Sequence, residues 1–388
     1  MSGFDIRGWC PGALRPMRSG DGLVLRIRAR CGRLTPDQAM GIATLSDAHG
    51  NGLMDLTSRA NLQLRGLDAA GHTAALQVLD ALDLLDPDPD TEARRNVILS
   101  PLAPMGGPAW QLAEAIWAGL EGPDAPRLPS KFGFAVDDTP ASLGGVPADI
   151  RLTPTATGWL IAPDGADWAL PARPKDAARR ALDLARDFLA RDGVTAGRGR
   201  MRDHLPPAPG DAVAAPTADL SPMIGPVPGG WLLGFAFGQI TPDQLRAAAT
   251  QGALRLTPWR ALLIEGPTRP PRIPGAILAP DDPLLRIHAC TGAPACPQGL
   301  ADVRALARRL GPSLAPGQSL HVSGCAKGCA HRGRADVTLI ARSPDRFDLI
   351  RDGTIRDAAQ GPALAALDIP PLYLIANPSL EPRHAAPL

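Results

Sequence analysis

"RPMRSGDGLVLRIRARCGRLTPDQ" (residues 15–38) decides the fold, because the chain writes it twice. Without a gap it aligns onto "SPMIGPVPGGWLLGFAFGQITPDQ" (residues 221–244), sharing Pro-Met near the start and Thr-Pro-Asp-Gln at the end. Leu25, Ile27, Ala29 and Cys31 alternate in the same register as Trp231, Leu233, Phe235 and Phe237, the period of a half-buried strand. Thr35 and Thr241 then read as helix N-caps with proline at the first helical position. Further along, "LTSRANLQLRG" (56–66) answers "LTPWRALLIEG" (256–266), each a strand, a turn and a second strand. The pattern is a duplicated strand, helix, strand, strand unit.

A larger α/β segment follows each unit. After the first, the pattern predicts a helix near 109–121, strands near 131–136, 148–153 and 158–162, and an amphipathic helix with Leu182, Ala185 and Leu189 on one face. After the second it predicts a helix near 299–310 and strands near 319–323, 336–341 and 346–350. The Pro-rich stretch 205–229 is the seam between halves. Such an architecture puts a binding site where the halves meet.

The 388 residues exceed one small core, and a net charge of +1 with 45% hydrophobic residues excludes a disordered or strongly basic chain. No basic stripe marks a nucleic-acid partner. No run of about 18 apolar residues marks a membrane span, and "MSGFDIRGWCPGALRPM" lacks the apolar stretch of a signal peptide. The expectation is a cytoplasmic protein. Only Lys131, Lys175 and Lys327 are lysines among 40 basic residues, so arginine carries meaning only at motif positions.

Six cysteines in a reducing compartment point to metal or catalytic thiols rather than disulfides. Cys31 reads as a small buried apolar residue, and Cys10 has a packing or a site role. Cys290 and Cys296 sit in "HACTGAPACPQG", Cys325 and Cys329 in "SGCAKGC". The glycines and prolines around them keep the backbone in loops whose amides can point at an anionic centre. Four thiolates suit a structural zinc or a [4Fe-4S] cluster, and the wide spacing of the first pair disfavours zinc.

These segments resemble the cluster-binding region of the sulfite and nitrite reductase family. Its signature is matched by Ser323, Gly324, Cys325, Cys329 and the strand opening at Asp336. The first half agrees: "LVLRIRARCG" resembles that family's first arginine-bearing strand (Arg26), "LTSRANLQLRG" its Thr-Ser-Arg strand pair (Arg59, Arg65), and "RRNV" its Arg-Asn-Val turn (Arg95). The resemblance implies an α+β, pseudo-twofold fold of ferredoxin-like half-repeats plus two larger α/β domains. Its parts are a first half-repeat at 1–85, a tetrapyrrole-binding α/β domain at 90–205, a second half-repeat at 220–270 and a cluster domain at 280–388. It implies that Cys290, Cys296, Cys325 and Cys329 hold a [4Fe-4S] cluster. Arg26, Arg59, Arg65, Arg95 and Lys131 would contact the carboxylates of a tetrapyrrole.

Family reductases also use two lysines one residue apart. Here "LPSKFGFAV" keeps Lys131 but has Gly133 at the second position, which removes a proton donor that oxyanion reduction needs. The opening "CPGALRPMRSGDGLVLRIR" instead resembles the precorrin-3B synthase branch of the superfamily. That resemblance implies an O2-dependent monooxygenase converting precorrin-3A to precorrin-3B, by C20 hydroxylation with γ-lactone formation, in aerobic cobalamin biosynthesis. It further implies a mononuclear non-haem iron and an external electron donor such as a reduced flavoprotein or an NAD(P)H system. Two histidines and a carboxylate commonly hold such iron, but nothing in the sequence singles out ligands among His49, His72, His204, His288, His321, His331 and His384. The alternatives are a sirohaem-dependent sulfite or nitrite reductase and a non-catalytic iron-sulfur electron carrier.

Overall fold

In the first half, β1 (Met17–Ser19) and β2 (Gly22–Ile27) form an antiparallel hairpin. The backbone then turns left-handed at two successive residues, Cys31 (φ 52°) and Gly32 (φ 67°). This lifts β3 (Arg33–Leu34) away from the sheet that β1 and β2 began. Helix α1 (Pro36–His49) starts at Thr35, whose hydroxyl accepts from the Gln38 amide while the Gln38 side chain accepts from the Thr35 amide. This reciprocal cap fixes the helix start. β4 (Met54–Leu56), β5 (Leu62–Leu67) and α2 (Ala69–Ala81) complete the unit. The coordinates, a computed structural model, describe residues 11–139, 143–216 and 223–369; Cys10 and His384 lie outside them.

The first α/β segment opens with α3 (Pro89–Arg94) and β6 (Val97–Leu99), then α4 (Pro108–Gly119), β7 (Phe134–Val136), β8 (Ile150–Pro154), β9 (Trp159–Pro163), β10 (Trp168–Ala172), α5 (Ala177–Ala190) and the short β11 (Val213–Ala214). β6, β7 and β8 run parallel, and the rest of the sheet is antiparallel. Helices α4 and α5 pack on it through a core that includes Ile116, Trp117, Phe132, Phe134 and Phe188. Leu182 and Ala185 are buried on α5 as its pattern predicts. Cys31 is buried beside this core, and burial pushes its thiol up to about 12, which keeps it a protonated packing residue.

The second half repeats the plan with β12 (Gly225–Val227), β13 (Gly230–Gly234), β14 (Gln239–Ile240), α6 (Pro242–Ala249), β15 (Leu254–Leu256) and β16 (Ala261–Glu265). Thr241 and Gln244 form the same reciprocal cap, and the paired left-handed residues recur at Phe237 (φ 62°) and Gly238 (φ 69°). Its α/β segment, β17 (Ile287–Ala289), α7 (Val303–Leu310), β18 (Leu320–Ser323), β19 (Ala335–Ala341), β20 (Arg346–Gly353) and β21 (Leu364–Ala365), again has three parallel strands followed by antiparallel ones. The duplication therefore extends beyond the units visible in sequence. Helix α2 has no counterpart among the described residues of the second half.

The kinks exchange strands between the halves. β3 of the first half pairs with β15 of the second (Leu34 with Leu254), and β14 of the second pairs with β4 of the first (Ile240 with Met54). Helices α1 and α6 pack together, with an Arg246–Asp47 ion pair between them. One hydrophobic core takes in Leu25, Leu34, Ile42 and Leu64 together with Leu232, Ile240, Leu254 and Leu262. The half-repeats, the first ending at Ala81 and the second beginning at Gly225 in the chain, thus share one core and two exchanged strands.

The kink is a place to test this interlock. A Cβ at Gly238 would lie 2.8 Å from the Arg260 Cβ and 3.0 Å from the Leu56 carbonyl oxygen, in a left-handed backbone. Gly238→Ala should lower unfolding free energy by about 1–3 kcal/mol, whereas Gly210→Ala, which meets open space, should stay within about 0.5 kcal/mol. Urea denaturation of both variants measures the difference.

Candidate functional site

A cleft of about 660 Å³ opens where the halves meet. The first half contributes the β4–β5 turn (Ser58, Arg59), Lys131, the 145–147 loop and Arg200. From the second come the strand-exchange kink (Phe235, Phe237, Gly238), the β15–β16 turn (Trp259, Arg260), Ile287, His288 and the loop Cys329–Arg332. Arg59, Lys131, Arg200, Arg260 and Arg332 are five cations on its wall, and no aspartate or glutamate is among its lining residues. Arg200 also bonds the buried Asp149 at 2.8 Å; a concave wall rich in cations draws polyanions. Trp259 and the two phenylalanines add apolar surface for a ring system.

Of the residues expected to contact a tetrapyrrole, Arg59 and Lys131 lie in this cleft, and the Arg59 guanidinium donates to the Lys131 carbonyl at 2.8 Å. Arg95 lies in an adjoining crevice that Arg59 also borders, together with Arg28. Its guanidinium pairs with Asp86 and Glu121 and stacks 4.6 Å from the Trp117 ring. Arg26 donates to the Gln63 side chain at 3.1 and 2.6 Å and is not among the cleft's lining residues. Arg65 is 6% exposed and bound to Asp21 and Asp55; it too is absent from the cleft lining. Arg28 is buried, with its guanidinium 3.4 Å from Glu92. Arg200, Arg260 and Arg332 were not singled out by sequence. The signal for Arg260 was the repeat itself, since "LTPWRALL" mirrors the turn that carries Arg59.

Burial leads in lowering the pKa of Arg260 from its ordinary value, Arg304 adds repulsion, and Asp55 opposes both. Arg260 takes the left-handed conformation (φ 57°) at the same point of the turn as Ala60 (φ 52°), and its guanidinium donates to the Ala330 carbonyl at 3.3 Å. It therefore ties the cleft to the residue after Cys329.

The four thiols gather at one end of the β17–β18–β19 sheet. Cys290 follows β17, Cys296 lies in the next loop, and Cys325 and Cys329 follow β18. The amides of Gly324 (3.2 Å) and Gly292 donate to the Cys290 sulfur. A Cβ at Gly324 would lie 3.2 Å from Gly292 Cα and 3.5 Å from that sulfur, so glycine is what lets the two cysteine loops close on each other. Burial first, then the neighbouring cysteines, raises the thiol pKa of both Cys290 and Cys329. All three other thiols act electrostatically on Cys329, which also lines the cleft. Among the described residues, no three His, Cys, Asp or Glu side chains are grouped to hold a single metal ion.

Three histidines back this wall. His288 and His331 stack with ring centroids 4.2 Å apart, and His321 meets His331 edge-on at 5.8 Å. Burial, aided by His331 and Arg260, pushes His288 down to about 3 and His321 to about 4. Both rings are neutral near pH 7.

Gly133 shows why the second lysine is missing. Its amide donates to the buried Asp149 at 3.0 Å, and a Cβ there would meet the Asn96 carbonyl oxygen at 3.2 Å and the Arg59 Nη1 at 3.5 Å. A lysine would crowd that carbonyl and set a second cation beside Arg59. Gly133→Lys should cost about 1–3 kcal/mol in urea denaturation and leave the protein without sulfite-reducing activity in a reduced-dye assay.

Residues 15–82 match the family model described as the nitrite/sulfite reductase ferredoxin-like half domain. The chain is 29% identical to a precorrin-3B synthase from Sinorhizobium sp over a 401-position alignment that covers 89% of this chain and 83% of the relative. Its fold is similar to that of the Mycobacterium tuberculosis NirA protein, with a TM-score of 0.59 at 18% identity, covering 89% of this chain and 78% of that one. No helix among the described residues is long and apolar enough to cross a membrane. The resemblance read from the sequence therefore holds: the chain has a sulfite/nitrite reductase-like fold and is an enzyme similar to precorrin-3B synthase.

Proposed function

We propose that this chain is an O2-dependent monooxygenase that converts precorrin-3A to precorrin-3B, hydroxylating C20 with closure of a γ-lactone. One observation carries the reading: a macrocycle-sized cleft between the halves that presents five cations and no carboxylate, with Cys329 on its wall. Precorrin-3A is a planar polycarboxylate, and each arginine–carboxylate pair formed out of water contributes roughly 1.5–3 kcal/mol. Arg59, Lys131, Arg200, Arg260 and Arg332 would take the acidic side chains, while Trp259, Phe235 and Phe237 pack against the ring. Neutral His288 adds no charge at the wall and leaves the arginines to set the anion preference.

Cys290, Cys296, Cys325 and Cys329 would hold the [4Fe-4S] cluster. The donor set fits it: four thiols in two glycine-rich loops, with amides already aimed at sulfur. Zinc–sulfur bonds of about 2.3 Å would draw all four sulfurs around one ion, whereas a cube attaches each thiolate to a different iron and suits the wide spacing of Cys290 and Cys296. When bound, the cluster supplies single electrons, drawn from an external donor such as a reduced flavoprotein or an NAD(P)H system. The described residues offer no grouping for the expected mononuclear iron.

Fold likeness to NirA favours a second reading, a sirohaem-dependent reductase, and Gly133 in place of a lysine weighs against it. Aerobic incubation with precorrin-3A and a reductant under labelled dioxygen should place one labelled oxygen atom in the product, the other leaving as water with two electrons consumed. An unlabelled product, or a sirohaem chromophore in the purified protein, overturns the monooxygenase. Lys131→Met, on the part of the wall contributed by the first half, should raise the KM for precorrin-3A roughly tenfold or more while cluster content, measured as iron and sulfide per chain, stays unchanged.

A further inference from the structure

We propose that the buried ion network Asp21–Arg65–Asp55–Arg304 clamps the loop that carries Cys290 and Cys296, and that Arg65 is a positioning residue for the cluster rather than a contact to the macrocycle. The inference rests on the reading of the four cysteines as cluster ligands.

Arg65 has its donors committed. Its Nε and Nη2 bond both oxygens of Asp21 at 2.8 and 3.0 Å, Nη1 bonds Asp55 at 3.2 Å, and Nη2 also donates to the Ser19 hydroxyl at 3.1 Å. Burial alone would lower its pKa, but Asp55 and Asp21 raise it, so the guanidinium stays charged and paired. Little of its fork is left for a substrate carboxylate.

The partners lead to the cysteine loop. Ser19, held by Arg65, donates its hydroxyl to the Ala295 carbonyl at 2.9 Å, and the Gly20 amide donates to the same oxygen at 3.1 Å. Ala295 is the residue before Cys296. The hairpin tip sits directly on the loop, since a Cβ at Gly20 would come within 3.0 Å of Pro297. The second oxygen of Asp55 accepts from Arg304 at 3.3 Å, on α7, the helix into which the same loop runs. Two carboxylates and two guanidiniums thus hold the loop at its middle and at its exit. Losing Arg65 would strip Asp21 of this ion pair and leave Asp55 with Arg304 alone, and such a network then fails as a unit.

Ser19→Ala tests the link without disturbing the ion pairs, and Arg65→Lys keeps the charge but loses the two-pronged contact to Asp21. In iron-free, full-length protein, amide exchange in the 291–296 loop should be about three- to tenfold faster in Ser19→Ala, the worth of one net hydrogen bond. After cluster reconstitution, both variants should lose the cluster in air faster than the parent and show an altered EPR line shape on reduction, with precorrin-3A affinity unchanged. Unaltered loop exchange and cluster lifetime in Ser19→Ala would overturn the clamp. So would weaker macrocycle binding with an intact cluster in Arg65→Lys. A parent protein that assembles no cluster would overturn the cysteine reading instead, and the exchange measurement on iron-free protein still decides the clamp.

Discussion

Two pairs of left-handed residues, Cys31–Gly32 and Phe237–Gly238, are the constraint on which the rest of the structure depends. Each pair turns the chain out of its own sheet and delivers a two-residue strand to the edge of the other half's sheet. A non-glycine residue in this conformation costs on the order of 1–3 kcal/mol, and here the cost falls at equivalent points of both repeats. What offsets it is a core neither half could bury alone, with Leu34 and Ile240 both fully buried across the exchange. The same turn sets Phe237 and Gly238 at the mouth of the cleft. Fold and site therefore share one local cause.

Arginine is so common in this chain that its function is decided by what stands beside it. Arg65, Arg95 and Arg255 are matched to carboxylates (Asp21 and Asp55, Asp86 and Glu121, and Glu265, respectively) and bear on neighbouring structure. The cleft arginines stand on a wall whose lining has no acidic residue. Burial makes both arrangements consequential, because an unmatched charge out of water is expensive and a matched one is nearly neutral. The first set holds elements together; in the second, Arg200 bonds Asp149 and Arg59 the Lys131 carbonyl, while all of them line the cleft.

The thiol end and the cation wall meet at one short loop. Cys329 belongs to both, and the Ala330 carbonyl after it is held by Arg260 from the opposing turn. The glycines on either side of the cysteines have a steric task, since Gly324 lies against Gly292 and Gly299, and Gly328 is left-handed with Ile355 pressed against it. The thiol loops and the cation-rich wall thereby occupy adjoining surfaces.

Sequence by itself determined whatever is local. The duplication, the capping residues Thr35 and Thr241 and the grouping of four cysteines in glycine-rich loops follow from spacings of a few residues; the strand alternation holds only to Ile27 and Leu233, because Ala29, Cys31, Phe235 and Phe237 fall in or beside the left-handed kinks. The strands β7, β8, β9, β18, β19 and β20 were legible from the same short spacings, while α2, α3, β6, β10, β11, β17 and β21 were not, most of them being short. Only the tertiary structure decided which half completes which sheet, since β3 and β14 are two residues long and carry no signature of their partner. It alone sent Arg65 to Asp21 and Arg26 to Gln63, and brought Arg200, Arg260 and Arg332 to the cleft beside Arg59. A guanidinium's role depends on charges that lie dozens of residues away in the chain, and only folding sets those distances.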